Sequence, residues 1–240
     1  MIKKQMKRFY NEVALIADET GFGVSLDGRR LKTPAGAELS VPTRPLALAI
    51  MDEWERVDEQ IDASLMPYFS ASATVIDRVF TQMPALQAEL LEYAKAELIC
   101  YRASQDEAEL AEFQSQQWDK WLAWMQQDHQ ISFCCTHGIM PVAQSADTAE
   151  KCAILIGQYD GWLLSCLYRA VQLTSSFVLS YAFLQNKLDA DSLFDASCLD
   201  ELFQNRKWGL DFEAETRQNN IKAELSDIEA FLKLLIAENR

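Results

Sequence analysis

The chain has 240 residues, 49% of them hydrophobic and 24% charged, with a formal net charge of −14. That is enough chain for one large domain, or for a small domain beside a larger one. The acidic balance argues against nucleic acid and anionic lipid surfaces as partners, because both would repel it. The opening residues, MIKKQMKRFY, are basic but lack the apolar run of a secretory signal, so a cytoplasmic protein with reduced thiols is expected.

The first forty residues hold four of the eight glycines, Gly21, Gly23, Gly28 and Gly36. Asp27-Gly28 between apolar residues predicts a two-residue hairpin, and Thr33 to Gly36 a second turn. Three or four strands joined by tight turns follow from this. Helices are predicted from about residue 43, with Thr43 as cap and Pro45 in the first turn. Leu46, Ala49 or Ile50, Trp54 and Val57 mark the face of that helix. The stretch IDASLMPYFS, from Ile61 to Ser70, breaks the pattern. It predicts a boundary, with a small β-rich domain containing one helix at residues 1–62 and a helical domain at 63–240. The fold class expected is α+β.

Within the second domain the spacing predicts a helix over 67–80 and another from Pro84 to Cys100, with Leu86, Leu90, Ala94 and Leu98 on one side. The next is striped by Leu110, Phe113, Gln117, Trp121 and Trp124. ISFCCT, residues 131–136, reads as a short strand with Ile131, Phe133 and Cys135 on one face, ending in a turn at Gly138 and Pro141. Asp147 and Glu150 have the spacing of a capping box. Trp162 to Leu184 is the longest apolar segment, but Arg169, Gln172 and Thr174, Ser175 and Ser176 interrupt it. A central buried helix is predicted there, not a membrane span. A helix near 190–207 should stop at Gly209. The last helix carries Ile221, Leu225, Ile228, Leu232 and Leu235 at alternating spacings of four and three, which predicts packing on its own domain over a coiled coil.

Chemistry is sparse. Cys100, Cys134, Cys135, Cys152, Cys166 and Cys198 include no pair with the two-residue gap of a zinc or redox motif. Cys134, Cys135 and His137 raise the alternative of a thiol- or metal-dependent enzyme. Adjacent side chains diverge, however, and free cysteine behaves as a small hydrophobe. No glycine-rich phosphate loop, serine elbow or HExxH pair is present. No catalytic residue, metal site or cofactor is expected, and the chain is expected to be a monomer. A structural adaptor that dimerises through the last helix is the other alternative.

Several phrases occur in a specific order: KRFY (7–10), LDGRRLKTPAGAEL (26–39), VPTRPLALAI followed by EW (41–54), MP (66–67), IDR (76–78), CYRA (100–103), GIMPVAQ (138–144) and LDELFQNRKWGLD (199–211). Together, over residues 7 to 215, they resemble the family of chaperones that assemble the F₁ sector of ATP synthase by holding its α subunit. The resemblance implies a small β-rich N-terminal domain followed by a larger helical one. It also implies a non-enzymatic role: binding unassembled α subunit and shielding the surface that will meet β, with no cofactor; the charge and the interrupted apolar segment already argue against nucleic acid and membrane insertion. The setting would be the bacterial cytoplasm, or the mitochondrial matrix for eukaryotic relatives. The family's acidic-aromatic signature falls on Asp200, Glu201, Gln204, Trp208, Gly209 and Asp211, and its loop on Gly138, Ile139, Met140 and Pro141. The chain departs from the family pattern at Arg206, Lys207 and Leu210, and at Ser175 and Ser176, where a Gly-Ser pair is usual.

Overall fold

Strand β1 (Met6–Lys7) leads into an antiparallel sheet of β2 (Val13–Asp18), β3 (Gly21–Leu26) and β4 (Arg29–Arg30), in that order. The structure is a computed structural model that describes residues 6–19, 21–138, 140–209 and 211–237. The chain divides into two compact units, Met1–Gln82 with Ala230–Arg240, and Met83–Glu229.

In the first unit both predicted turns are present. Asp27 and Gly28 take φ of +48° and +77° between β3 and β4, the pair of left-handed residues that a tight hairpin matched to strand twist requires. The Asp27 carboxylate also accepts the N–H groups of Asn11 (3.0 Å) and Glu12 (2.9 Å). At the second turn Gly36 donates its N–H to the Thr33 carbonyl at 2.9 Å. Helix α1 (Arg44–Glu55) packs on β2 and β3. Thr43 caps it, accepting the Leu46 N–H, and its hydroxyl donates to the Leu234 carbonyl at 2.7 Å. Leu46, Ile50, Trp54 and Val57 are buried, so Ile50 and not Ala49 continues the apolar face.

Strand β5 (Gln60–Ile61) pairs antiparallel with β1, and α2 (Pro67–Thr74) follows. The buried Glu53 carboxylate accepts the Tyr68 and Phe69 N–H groups at 2.7 and 2.8 Å, meeting two otherwise unpaired donors at the start of α2. Asp77 accepts the Thr33 hydroxyl (2.6 Å) and the Ala35 N–H (3.1 Å). These bonds draw residues beyond 62, the boundary expected from the sequence, into the first unit.

A π-helical turn (Val75–Val79) joins α2 to α3 (Phe80–Lys95). The sequence predicted a new helix opening at Pro84, but the helical run of α3 is continuous through it. The run also ends at Lys95, short of Cys100, which closes a separate 3-10 turn (Leu98–Cys100).

The second unit continues with β6 (Tyr101–Arg102), α4 (Ala108–His129), β7 (Thr136–His137), α5 (Ala146–Gly157), α6 (Gly161–Thr174), α7 (Phe177–Leu184), α8 (Ala190–Ser197), α9 (Leu199–Trp208) and α10 (Phe212–Ile236). The last residues of α10 belong to the first unit. Leu225, Ile228 and Leu232 are buried, as the spacing predicted.

Four expectations change. The single buried helix over 162–184 is two: Ser175 takes a left-handed φ of +57°, ends α6, and Ser176 caps α7 by accepting the Leu179 N–H at 3.1 Å. Every residue of α7 is buried, and the wholly buried Glu97 anchors its start, accepting the Ser176 hydroxyl and the Val178 N–H. The helix near 190–207 is also two, α8 and α9, parted at Cys198, and the second of them does stop at Gly209. Ser145, and not Asp147, caps α5, because its hydroxyl reaches the Thr148 N–H at 3.0 Å; Asp147 lies in the first turn and pairs with Lys151 at 2.7 Å. Finally, the strand predicted over 131–136 reduces to Thr136–His137, which pairs parallel with β6. Around Cys134 a side chain supplies what a neighbouring strand would: the Gln144 amide accepts the Cys134 N–H at 2.8 Å and donates to its carbonyl at 3.0 Å.

The fold is thus α+β, a small N-terminal antiparallel sheet with a helical domain after it. Among the described residues no helix is long and apolar enough to cross a membrane.

Candidate protein-binding surface

Helix α9 carries the acidic-aromatic signature, and its two carboxylates do different things. Leu199 is buried, and Leu202 and Phe203 are half-buried, with the Phe203 ring 6.1 Å from that of Phe113. Asp200 turns inward and accepts the Gln114 amide N–H at 2.7 Å. Gln114, itself buried, accepts the Ala103 N–H at 2.7 Å through its other end. A polar relay therefore joins CYRA to LDEL through one glutamine. Burial raises the Asp200 pKa, and Glu107 pushes the same way; the Gln114 bond and the positive charge of Arg102 oppose it.

Glu201 turns toward α10. It accepts the Gln218 amide N–H at 2.7 Å and forms an ion pair with Arg217. Partial burial would raise its pKa, but the Arg217 and Gln218 bonds outweigh that and hold the carboxyl below its usual range. This clamp braces the turn between the two helices. In that turn Gly209 has a φ of +89°, a conformation that only glycine adopts readily, and returns its N–H to the Asn205 carbonyl at 2.9 Å. Asp211 then caps α10 by accepting the Ala214 N–H at 2.9 Å.

What the turn displays is aromatic. Trp208 is 72% exposed and Phe212 80% exposed. The Lys207 ammonium lies 5.5 Å from the Trp208 ring centroid, and Gln204 is exposed one turn earlier. Trp208 ends its helix but does not plug the core. Exposed apolar surface of this kind, where it is contiguous, is a candidate interaction surface. The second candidate segment behaves similarly: Gly138 binds the Arg102 carbonyl through its N–H at 2.9 Å, while Met140 is 68% exposed and Pro141 is exposed. Ile139 lies outside the described residues.

Comparison with known proteins decides the family. The model of the ATP12 chaperone protein family matches residues 7–126. The crystal structure of Atp12 from Paracoccus denitrificans superposes with a TM-score of 0.91 at 34% identity, covering 95% of this chain and 98% of that one. The chain belongs to the ATP12 chaperone family. An aspartate-to-lysine mutant of the Paracoccus protein matches equally, with a TM-score of 0.92 over 95% of this chain and 97% of that one, at 34% identity. The mitochondrial protein atp12 of Schizosaccharomyces pombe is 24% identical over 216 residues, 85% of this chain and 74% of the relative.

Most of the family-like phrases turn out to be scaffold. In KRFY, Arg8 donates to the Val57 carbonyl and the Tyr10 hydroxyl to that of Trp54, at 2.7 Å. The Asp77 bonds give IDR its purpose, and the hairpin turn accounts for LDGR. Sequence reasoning missed Gln114 and Arg102. Arg102 is buried, bonds Asp119 at 2.8 Å and lies 5.2 Å from the Trp118 ring centroid. Arg102 sits inside a quoted phrase, but Gln114 offered no signal beyond being polar on a helix. Cys134, Cys135 and His137 are exposed, and among the described residues no group of three side chains could hold a metal ion.

Proposed function

We propose that the chain is an assembly chaperone for the F₁ sector of ATP synthase, which binds the unassembled α subunit and keeps it from aggregating until it pairs with β. Membership of the ATP12 chaperone family supports the class of activity. The observation that carries the binding surface is the exposed pair Trp208 and Phe212, displayed on a turn that Glu201 and Arg217 brace. Its chemistry suits a masking role: exposed apolar area, with the exposed polar residues Gln204 and Asp211 close to it in sequence, covers an apolar patch on a partner and can release it to a better-matched one. Gly138, Met140 and Pro141 form a second proposed contact, with Ile139 alongside them in sequence, and Asp200 supports the first from beneath.

The test is light scattering by purified α subunit diluted from denaturant. The chaperone at near-stoichiometric ratio, without ATP, is expected to suppress scattering. Unchanged scattering, or suppression only when ATP is added, sinks the reading.

A further inference from the structure

Of the stripe read on α4 from its spacing, Leu110 is buried. Beyond it Gln114, Trp118 and Met125 form the buried face, and the row Phe113, Gln117 and Trp121 is left half-exposed. That row floors a groove of about 550 Å³ whose other walls come from α8, the turn before it and α9, with Leu188 and Leu202 adding apolar surface.

The rim is cationic. Lys120, Lys187 and Arg206 line the groove against one carboxylate, Asp195. Across the whole chain acids outnumber bases, 36 to 22, so the groove is opposite in sign to the chain's net charge. Each cation rests on an aromatic face: Lys120 lies 5.3 Å from the Trp121 ring centroid, Arg206 5.7 Å from Phe113 and Lys187 5.2 Å from Trp124. Lys187 also approaches Asp128 at 3.9 Å, whereas among the described residues Lys120 and Arg206 make no ion pair. Aromatic contacts hold these two charges in place without neutralising them.

We propose that this groove is a binding site for an acidic amphipathic segment of a partner polypeptide, separate from the Trp208–Phe212 surface. It rests on the chaperone reading only in that the occupant is a polypeptide. An apolar side chain of the segment lies over Phe113 and Trp121, and its flanking carboxylates meet Lys120 and Arg206. The charges stand on different elements around a shallow floor. A ligand must therefore answer several of them at once, which spaced carboxylates on a peptide do and a single small anion does not.

Titration calorimetry tests this on the full chain with a short probe peptide in which Asp and Glu alternate with Leu and Phe. Its counterpart with Lys at every acidic position, and decanoate as a single-carboxylate amphiphile, complete the set. The acidic peptide is expected to bind, the lysine peptide not, and affinity should fall as salt is added. Lys120→Glu with Arg206→Glu, both exposed positions, should melt like the parent chain and weaken the acidic peptide by about tenfold or more. Absence of acidic-peptide binding, undiminished binding by the reversed variant, or decanoate binding in place of the peptide overturns the proposal. The scattering assay on the unaltered chain is independent of these outcomes. Failure there sinks the chaperone reading, and failure here sinks only the groove.

Discussion

Glu201 on α9 is ion-paired to Arg217 on α10, and the pair is partly screened from solvent on the glutamate side. Charge reversal there does more than alter a surface. Glu201→Lys removes the clamp and sets two cations side by side, at an expected cost of about 1 kcal/mol. In a chain of this size that lowers the melting temperature by about 2–4 °C. The swap Glu201→Arg with Arg217→Glu should recover most of it. The clamp's contribution is fully present above the ordinary glutamate pKa and is lost as pH falls through the lowered folded value. Thermal melts of the single and swapped variants at neutral pH, and of the parent chain across the acid range, check both statements.

Trp208→Ala and Phe212→Ala should separate binding from folding. Both side chains are largely exposed, so each variant should keep its stability to within about 0.5 kcal/mol. If the pair contacts the α subunit as proposed, affinity should fall by about tenfold or more, as truncating an aromatic anchor commonly does. Melts beside titration against α subunit give the answer: a variant that melts and binds like the parent removes that residue from the surface.

Glu97 predicts a pH dependence of the opposite sign to that of Glu201. Burial lifts its pKa from near 4.5 to about 7, against the bonds from Ser176, Val178 and Ile99. The folded chain then holds a proton that the unfolded chain releases. The stability from this group is fully present below the unfolded pKa and is lost as pH rises from about 4.5 through about 7. Glu53, raised to about 7 by burial in the first unit, acts in the same direction. Urea midpoints at pH 5 and pH 7.5 should therefore differ less for Glu97→Gln than for the parent chain. An unchanged difference shows that Glu97 does not titrate in this window.

Ser175→Gly is expected to stabilise. Ser175 holds φ +57° and ψ +12° at the end of α6, and its side chain is exposed. Relief of a left-handed non-glycine residue favours the folded state by about 1 kcal/mol, less the entropy glycine adds to the unfolded chain. A rise of about 1–3 °C in the melting temperature is expected. A fall shows that the serine contributes something the backbone geometry does not reveal. The same geometry explains why a Gly-Ser pair suits this position: the first residue must turn left-handed and the second must cap.

The sequence by itself determined the features that depend on a few neighbouring residues. Asp27-Gly28 had to be a tight hairpin because both positions need positive φ. Thr43 starts a helix and Gly209 stops one by chemistry confined to one turn, and the ordered phrases carried the family. Tertiary structure decided everything that depends on what lies opposite. Phe113, Gln117 and Trp121 have the spacing of a core stripe, but spacing does not say whether a partner element arrives, and here α4 buries the neighbouring row around Gln114 and Trp118. ISFCCT has the alternation of a strand, but most of it finds a side-chain amide in place of a ladder. Asp200 and Glu201 are adjacent acids with one appearance in sequence. One is drawn inward by Gln114 and the other outward by Arg217, residues distant along the chain, so only the folded packing assigns their roles.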